Sequence, residues 1–163
     1  MDADGASAPR RLASLDGEGP EEPDWSPDGS KIVFGGGSGI YSVRPDGSHL
    51  TRLLLSGNAG SSPYHASWSP DGAHLLYAYT PGTPGAFTSE VWTMDASGQA
   101  KRLLFASRCC VGQYYAPVWS PDGKKVAFSS DSAGGTFVMN PDGTRRHRLL
   151  SSVSALSWSR GTR

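Results

Sequence analysis

The pentapeptide "WSPDG" stands at residues 25–29 and recurs at residues 68–72 and 119–123. In such a sequence the proline presets φ at the second position of a type I turn, the aspartate tolerates the third, and the glycine supplies the left-handed residue that follows. These residue types in this order form no nucleophile site, metal cage or phosphate cradle. The repeat therefore predicts a structural hairpin corner at three equivalent places. The predicted corner residues are Pro27, Asp28, Gly29, Pro70, Asp71, Gly72, Pro121, Asp122 and Gly123.

Each corner is followed by a short apolar run, "KIVF", "HLLYAY" or "KVAF". Because the apolar residues are continuous and do not alternate with polar ones, each run predicts a strand that is buried on both faces. A third strand, "GIYSV", "EVWTM" or "GTFVM", leads into a second corner that ends in glycine. A basic segment, "TRLL", "KRLL" or "RHRLL", then predicts an outer edge strand. One unit is therefore four strands long.

The units repeat at intervals typical of a β-propeller. Their tryptophans are spaced by 43, 51 and 39 residues, at Trp25, Trp68, Trp119 and Trp158. Repeats of roughly 40–50 residues that hold four short strands and a recurrent tryptophan are characteristic of propeller blades. We therefore predict an all-β fold, a β-propeller of four-stranded antiparallel blades.

The chain is predicted to hold three complete blades and a partial blade at each end. "MDADG" at the start matches "MDASG" at residues 94–98, and "RRL" at residues 10–12 predicts a fourth strand; "LSWSRGTR" at the other end begins a first strand. The whole chain, 1–163, is thus expected to be one segment of a propeller. Its parts are the end of a preceding blade (1–21), three blades (22–63, 64–113 and 114–152) and the start of a further blade (153–163).

Composition and charge exclude several functional classes. The 37% hydrophobic content and the five tryptophans suffice for a globular core. The net charge is zero, and the basic cluster around Arg145 fits a protected strand edge, so no nucleic-acid partner is expected. No apolar run reaches the roughly 18–20 residues of a membrane span, and the first residues do not form a signal peptide. Cys109 and Cys110 are adjacent, without zinc-site spacing, and their role is open.

The residues of the repeat carry a family resemblance. "PDWSPDGSKIVF", "ASWSPDGAHLLYAY" and "PVWSPDGKKVAF", each followed further on by "RLL", resemble the WD-like propeller repeats of bacterial TolB. Similar repeats occur in the propeller domains of prolyl-oligopeptidase-type serine peptidases. The resemblance implies a propeller and, for TolB-like proteins, a periplasmic or extracytoplasmic location. It implies no particular function, because propellers host many activities.

No catalytic, metal-binding or cofactor-binding residues are expected. "GGGSGI" at residues 35–40 fails the register of a nucleophile elbow, since Ile40 occupies the position of the last glycine. No P-loop, H-E-x-x-H or EF-hand pattern is present, and the four histidines are scattered over different elements. His65 falls in a long predicted loop and is kept as a minor candidate. The chain is therefore predicted not to be an enzyme.

The strand order predicts where a partner would bind. If both glycine corners lie at one end of every blade, the longer and more variable connections must lie at the other end, the loop face. Loops on a rigid scaffold collect binding residues, and tyrosine and arginine are frequent interface anchors. Packing of the tyrosines between blades is an equally weighted alternative. The candidate binding residues are Tyr64, His65, Phe87, Arg108, Tyr114 and Tyr115.

Two functions remain open from the sequence. The first is a non-enzymatic module that binds a protein or peptide on its loop face, or joins the remaining blades of a larger propeller. The second is the substrate-gating propeller of a prolyl-oligopeptidase-type peptidase whose catalytic domain is absent from this sequence.

Overall fold

The computed structural model describes residues 10–15, 19–36, 39–57, 61–82, 89–107, 114–130 and 134–152. Within these ranges twelve strands form three four-stranded antiparallel sheets. The first sheet contains β1 (Glu21–Trp25), β2 (Ile32–Gly36), β3 (Gly39–Val43) and β4 (Thr51–Leu55). The second contains β5 (Ser62–Trp68), β6 (His74–Thr80), β7 (Glu90–Asp95) and β8 (Arg102–Ala106). The third contains β9 (Tyr114–Trp119), β10 (Val126–Ser130), β11 (Gly135–Met139) and β12 (His147–Leu150).

The three sheets are the predicted propeller blades, and each is a simple meander of consecutive strands. The registers repeat: Phe34 pairs with Tyr41 in the first blade, as Phe128 pairs with Phe137 in the third. The first strands contact one another from blade to blade, β1 with β5 and β5 with β9, and so form the inner edge of the arc. β1 and β5 begin one and two residues before the predicted blade starts, and the segment at 10–12, predicted as a fourth strand, is not part of a sheet.

The W-S-P-D-G corners form as predicted. Gly29, Gly72 and Gly123 have φ of 71°, 70° and 70°, the left-handed conformation that glycine adopts without strain. In the second blade, the Gly72 amide donates to the Ser69 carbonyl at 2.9 Å and closes the turn.

The serine of the pentapeptide has a role that the sequence did not indicate. Ser69 Oγ donates to Asp71 Oδ1 at 2.6 Å and accepts from the His74 amide at 2.9 Å, so it joins the turn to the start of β6. Ser26 and Ser120 make the same two bonds in their own corners. The bond from the serine hydroxyl lowers the pKa of each corner aspartate. In Asp28, to which Ser30 also donates, the pKa falls to about 2.

We expect Ser69→Ala to destabilise the protein by about 1–3 kcal/mol, because it removes two hydrogen bonds at a buried position. Urea unfolding followed by circular dichroism measures the change. Ser97→Ala is the matched control, since Ser97 also donates to an aspartate of a corner but is exposed. Its effect should stay below about 0.5 kcal/mol. Equal effects of the two substitutions would contradict the role given to Ser69.

The blades pack face to face through apolar side chains that alternate along each second strand. Leu75 and Tyr77 of β6 pack with Val33 of the first blade, whereas Leu76 and Ala78 pack with Phe128 of the third. All of these residues are at most 2% exposed. A strand between two blades is buried on both faces, as the continuous apolar runs predicted.

The outer part of each junction is a main-chain contact. The glycine of the second corner, at Gly47, Gly98 or Gly143, lies against the carbonyl group of a leucine in the preceding segment. A Cβ built on Gly143 would stand 2.8 Å from the Leu104 oxygen, and one on Gly98 would overlap the Leu53 oxygen. Gly47 lies in the same way against Leu12, which places residues 10–15 where the outer strand of a preceding blade would lie.

Candidate binding surface

The inner strands carry the residues that link neighbouring blades. Asp24 Oδ2 accepts a hydrogen bond of 2.7 Å from the Trp68 amide, and Ser67 Oγ donates to the Pro117 carbonyl at 3.2 Å. Burial raises the pKa of Asp24, while the bonds from the Trp68 and Trp25 amides act in the opposite direction. These contacts hold the first strands side by side.

Each first strand is bulged near its start. The register of β1 against β2 shifts between Glu21 and Asp24, and that of β5 against β6 shifts between Tyr64 and Ser67. Glu22 and His65 occupy these bulges with φ of 51° and 53°. A non-glycine residue with left-handed backbone is uncommon and costs on the order of 1–3 kcal/mol, so the surrounding structure must hold it in place.

The two bulged side chains meet across the junction between the first and second blades. Glu22 Oε2 contacts His65 Nδ1, and the side chains are 45% and 22% exposed. The Tyr64 ring meets the His65 ring edge-on, with centroids 5.0 Å apart. Because the start of a first strand lies at the end away from the W-S-P-D-G corner, the Glu22–His65 pair lies toward the loop face.

Burial lowers the pKa of His65, and the carboxylates of Glu22 and Glu21 offset part of that effect. A neutral imidazole that donates its Nδ1 hydrogen to Glu22 keeps Nε2 as an acceptor. The pair can therefore accept a hydrogen bond from a ligand at His65 and bind a positive charge at Glu22.

The structure locates two of the six candidate binding residues with their side chains. Tyr64 and His65 are neighbours on β5, and the prediction that His65 lies in a loop is wrong, because the bulge lets the strand begin at Ser62. Tyr64 is partly buried against the apolar cluster between the second and third blades, as the packing alternative required. Tyr114 and Tyr115 lie in β9, but their side chains are outside the described residues, as are Phe87 and Arg108 entirely.

Glu22 was not among the residues predicted from the sequence. It stands three residues before Trp25, as His65 stands three residues before Trp68, so extending the repeat alignment upstream of the tryptophan would have paired the two positions. The contact between them was not available from sequence, because it depends on how adjacent blades stack.

A concave surface also lies at the corner end of the blades, apart from the Glu22–His65 pair. A cavity of about 580 Å³ opens between the corners of the second and third blades, with Trp119, His74 and Arg102 in its lining. Asp71 and Asp122 also line it, and both are already bonded within their own turns. The corner face therefore has a concave surface of its own.

Neither a metal centre nor a membrane helix is seen in the described part of the chain. Its histidines and acidic residues form no group of three that could hold a metal ion. Among the same residues there is no helix of the length and apolarity needed to cross a bilayer.

Comparison with solved structures identifies the fold. No protein-family model and no curated protein sequence matches the chain. It is similar to a structure of a nidogen–laminin complex, with a TM-score of 0.74, 16% identity and 96% of this chain covered. It is also similar to an oligogalacturonate lyase in complex with manganese (TM-score 0.62, 21% identity, 86% covered) and to the oligogalacturonate lyase of Vibrio parahaemolyticus (0.59, 17%, 85%).

These neighbours contain β-propellers, and the likeness confirms the fold class of this chain. The chain spans 58% of the length of the first of these structures and 38% of the other two. At such identities the comparison identifies the fold alone.

Proposed function

We propose that the chain is a non-enzymatic, TolB-like propeller module that binds a protein or peptide at its loop face. The observation that carries the proposal is the contact between Glu22 and His65, two left-handed residues on neighbouring blades. Backbone strain of this kind concentrates at ligand-binding positions. The TolB-like assignment rests on the W-S-P-D-G repeat.

The bulges give the pair its position. A β-bulge redirects a side chain away from the regular alternation of its strand, and bulges are frequent beside functional sites. Here two bulges direct a histidine and a glutamate at each other, and both side chains retain exposed surface. A ligand that reaches this end of the first strands meets a hydrogen-bond acceptor, a carboxylate and the edge of Tyr64 within one small area.

An extended peptide fits this arrangement because its amides and basic side chains supply the hydrogen-bond donors that the pair lacks. Glu21 is also exposed beside the pair, which favours a peptide with a lysine or arginine. The alternative, a gating propeller of a peptidase, rests on the sequence resemblance alone and stays a prediction.

A displayed library of linear peptides, selected on the immobilised protein, tests the proposal. Selected peptides should bind the variant carrying both Glu22→Ala and His65→Ala at least about tenfold more weakly than wild type. Lys124→Ala is the control, since Lys124 is exposed at the opposite, corner end. Thermal unfolding of both variants checks that the fold is retained.

The proposal fails if no peptide is selected, or if the double variant binds the selected peptides as wild type does. Loss of binding in Lys124→Ala alone would assign the ligand to the corner face. A selected set without lysine or arginine would contradict the role given to the carboxylates.

A further inference from the structure

The first tryptophan of the repeat lacks the cover that its equivalents have. Trp68 is 7% exposed and packs in a cluster with Val33 and Ile40 of the preceding blade. Trp119 packs against the corresponding cluster that contains Leu76. Trp25 holds the same position at the end of β1 and is 55% exposed. The tryptophan is therefore packed against the preceding blade at two junctions, whereas in the first blade the same tryptophan is largely exposed.

The open part of this junction is small and well defined. Leu12 already lies against Gly47, as Leu53 lies against Gly98 in the next junction. Leu12, Ala13 and Leu15 also pack on the face of the first blade, against Ile32, Phe34 and Val43. Within the part of the chain that the structure describes, the inner position at Trp25 is what remains of this junction for another element to cover.

The two closed junctions define what that element is. The second and third strands of the preceding blade each bring one large buried aliphatic residue to the cluster with the tryptophan. These residues are Val33 and Ile40 at the first junction, and Leu76 and Val91 at the second; all are 0% exposed. The matching partner is a β-hairpin with an aliphatic side chain on each strand.

A second copy of this chain does not provide such a hairpin. At the two equivalent positions its third blade has Ala127 and Thr136. Thr136 Oγ1 lies 2.8 Å from Ser129 Oγ and donates to the Ser152 carbonyl at 3.0 Å. An indole ring placed there would face this hydrogen-bonded hydroxyl pair in place of two aliphatic side chains.

We infer that Trp25 is the docking residue for the second and third strands of a further W-S-P-D-G-type blade, one with aliphatic residues at the Val33 and Ile40 positions. Tryptophan is the residue type most typical of binding hot spots, because it buries a large area with few rotatable bonds. The docking surface uses neither Glu22 nor His65, so it is independent of the proposed peptide site.

A cyclised peptide of residues 31–44, "KIVFGGGSGIYSVR", tests the inference on the full chain. This hairpin covers Trp68 in the protein and contains no tryptophan, and cyclisation offsets the marginal stability of an isolated hairpin. Titration should shift the tryptophan emission of the protein to the blue in a saturable manner and reduce its quenching by acrylamide. Trp25→Ala should weaken binding at least about thirtyfold.

Two controls separate docking from unspecific adhesion. A peptide with Val33→Asp and Ile40→Asp should not bind, and the protein variant Leu149→Ala should bind as wild type, since Leu149 is 57% exposed at the other end of the arc. Circular dichroism melting checks that Trp25→Ala keeps its fold. Absence of a saturable shift, or equal binding by Trp25→Ala, overturns the inference. A concentration-dependent dimer that Trp25→Ala abolishes would assign the position to a second copy instead.

Discussion

Replacing Gly98 with alanine is expected to destabilise the protein by on the order of 3 kcal/mol or more. Two effects add. Gly98 has a φ of 83°, which an alanine adopts at a cost of about 1–2 kcal/mol. The new Cβ would also overlap the Leu53 carbonyl oxygen, and backbone cannot move aside as a flexible side chain can. Such overpacking costs a further 1–3 kcal/mol or so.

Gly29→Ala separates the two effects. Gly29 has a φ of 71°, but nothing lies within 4 Å of a Cβ built on it, so only the conformational cost of about 1–2 kcal/mol applies. Urea unfolding of the two variants, compared with wild type, gives the difference. Equal destabilisation by both substitutions would show that the contact of Gly98 with the preceding blade does not contribute.

Replacing Phe128 with alanine is expected to cost about 3–5 kcal/mol, the usual range for a buried phenylalanine. Phe128 is 0% exposed and is the aromatic centre of the junction between the second and third blades. Its ring stacks on Phe137 of its own blade at 5.5 Å and lies 5.0 Å from Phe105 of the second blade. Arg146 stands 4.3 Å above the Phe105 ring and closes the outside of this group. The cavity left by the ring therefore has well-packed walls.

Leu149→Ala is the control for Phe128→Ala, because it removes a large apolar side chain from an exposed place in the same blade. Its effect should lie within about 0.5 kcal/mol of zero. Differential scanning calorimetry of both variants tests the comparison. A loss of less than about 1 kcal/mol for Phe128→Ala would mean that the junction relaxes around the cavity or contributes little to the stability of the arc.

The parts of the fold that were predictable are those encoded by local residue patterns. The corner at Gly72 follows from a proline, an aspartate and a glycine in sequence, and the buried strand β6 follows from its continuous apolar run. Blade order follows from the repeat of these patterns. The repetition of these local patterns every 39–51 residues was sufficient to predict the all-β propeller fold.

The candidate site was less predictable because its contacts join different blades. Glu22 and His65 are 43 residues apart in sequence. Each contacts the other from a β-bulge, and the residue composition of the two strands does not predict those bulges. Tyr64 was predicted on the binding face, yet it also packs against the apolar cluster of the next junction. The contact of Gly98 with Leu53 was also not predicted, because the left-handed backbone of the corner already explained why a glycine stands at that position.

The main-chain contact at the outer rim also bears on how such chains evolve. A glycine that rests on a carbonyl group recognises no side chain, so this contact by itself places no requirement on the residue type that supplies the carbonyl. Gene duplication or recombination that adds or removes one whole unit regenerates the rim automatically, since each unit interacts only with its neighbours. Adding or removing a whole unit therefore preserves the rim contact, and the new junction then depends on the side chains that pack around the inner tryptophan.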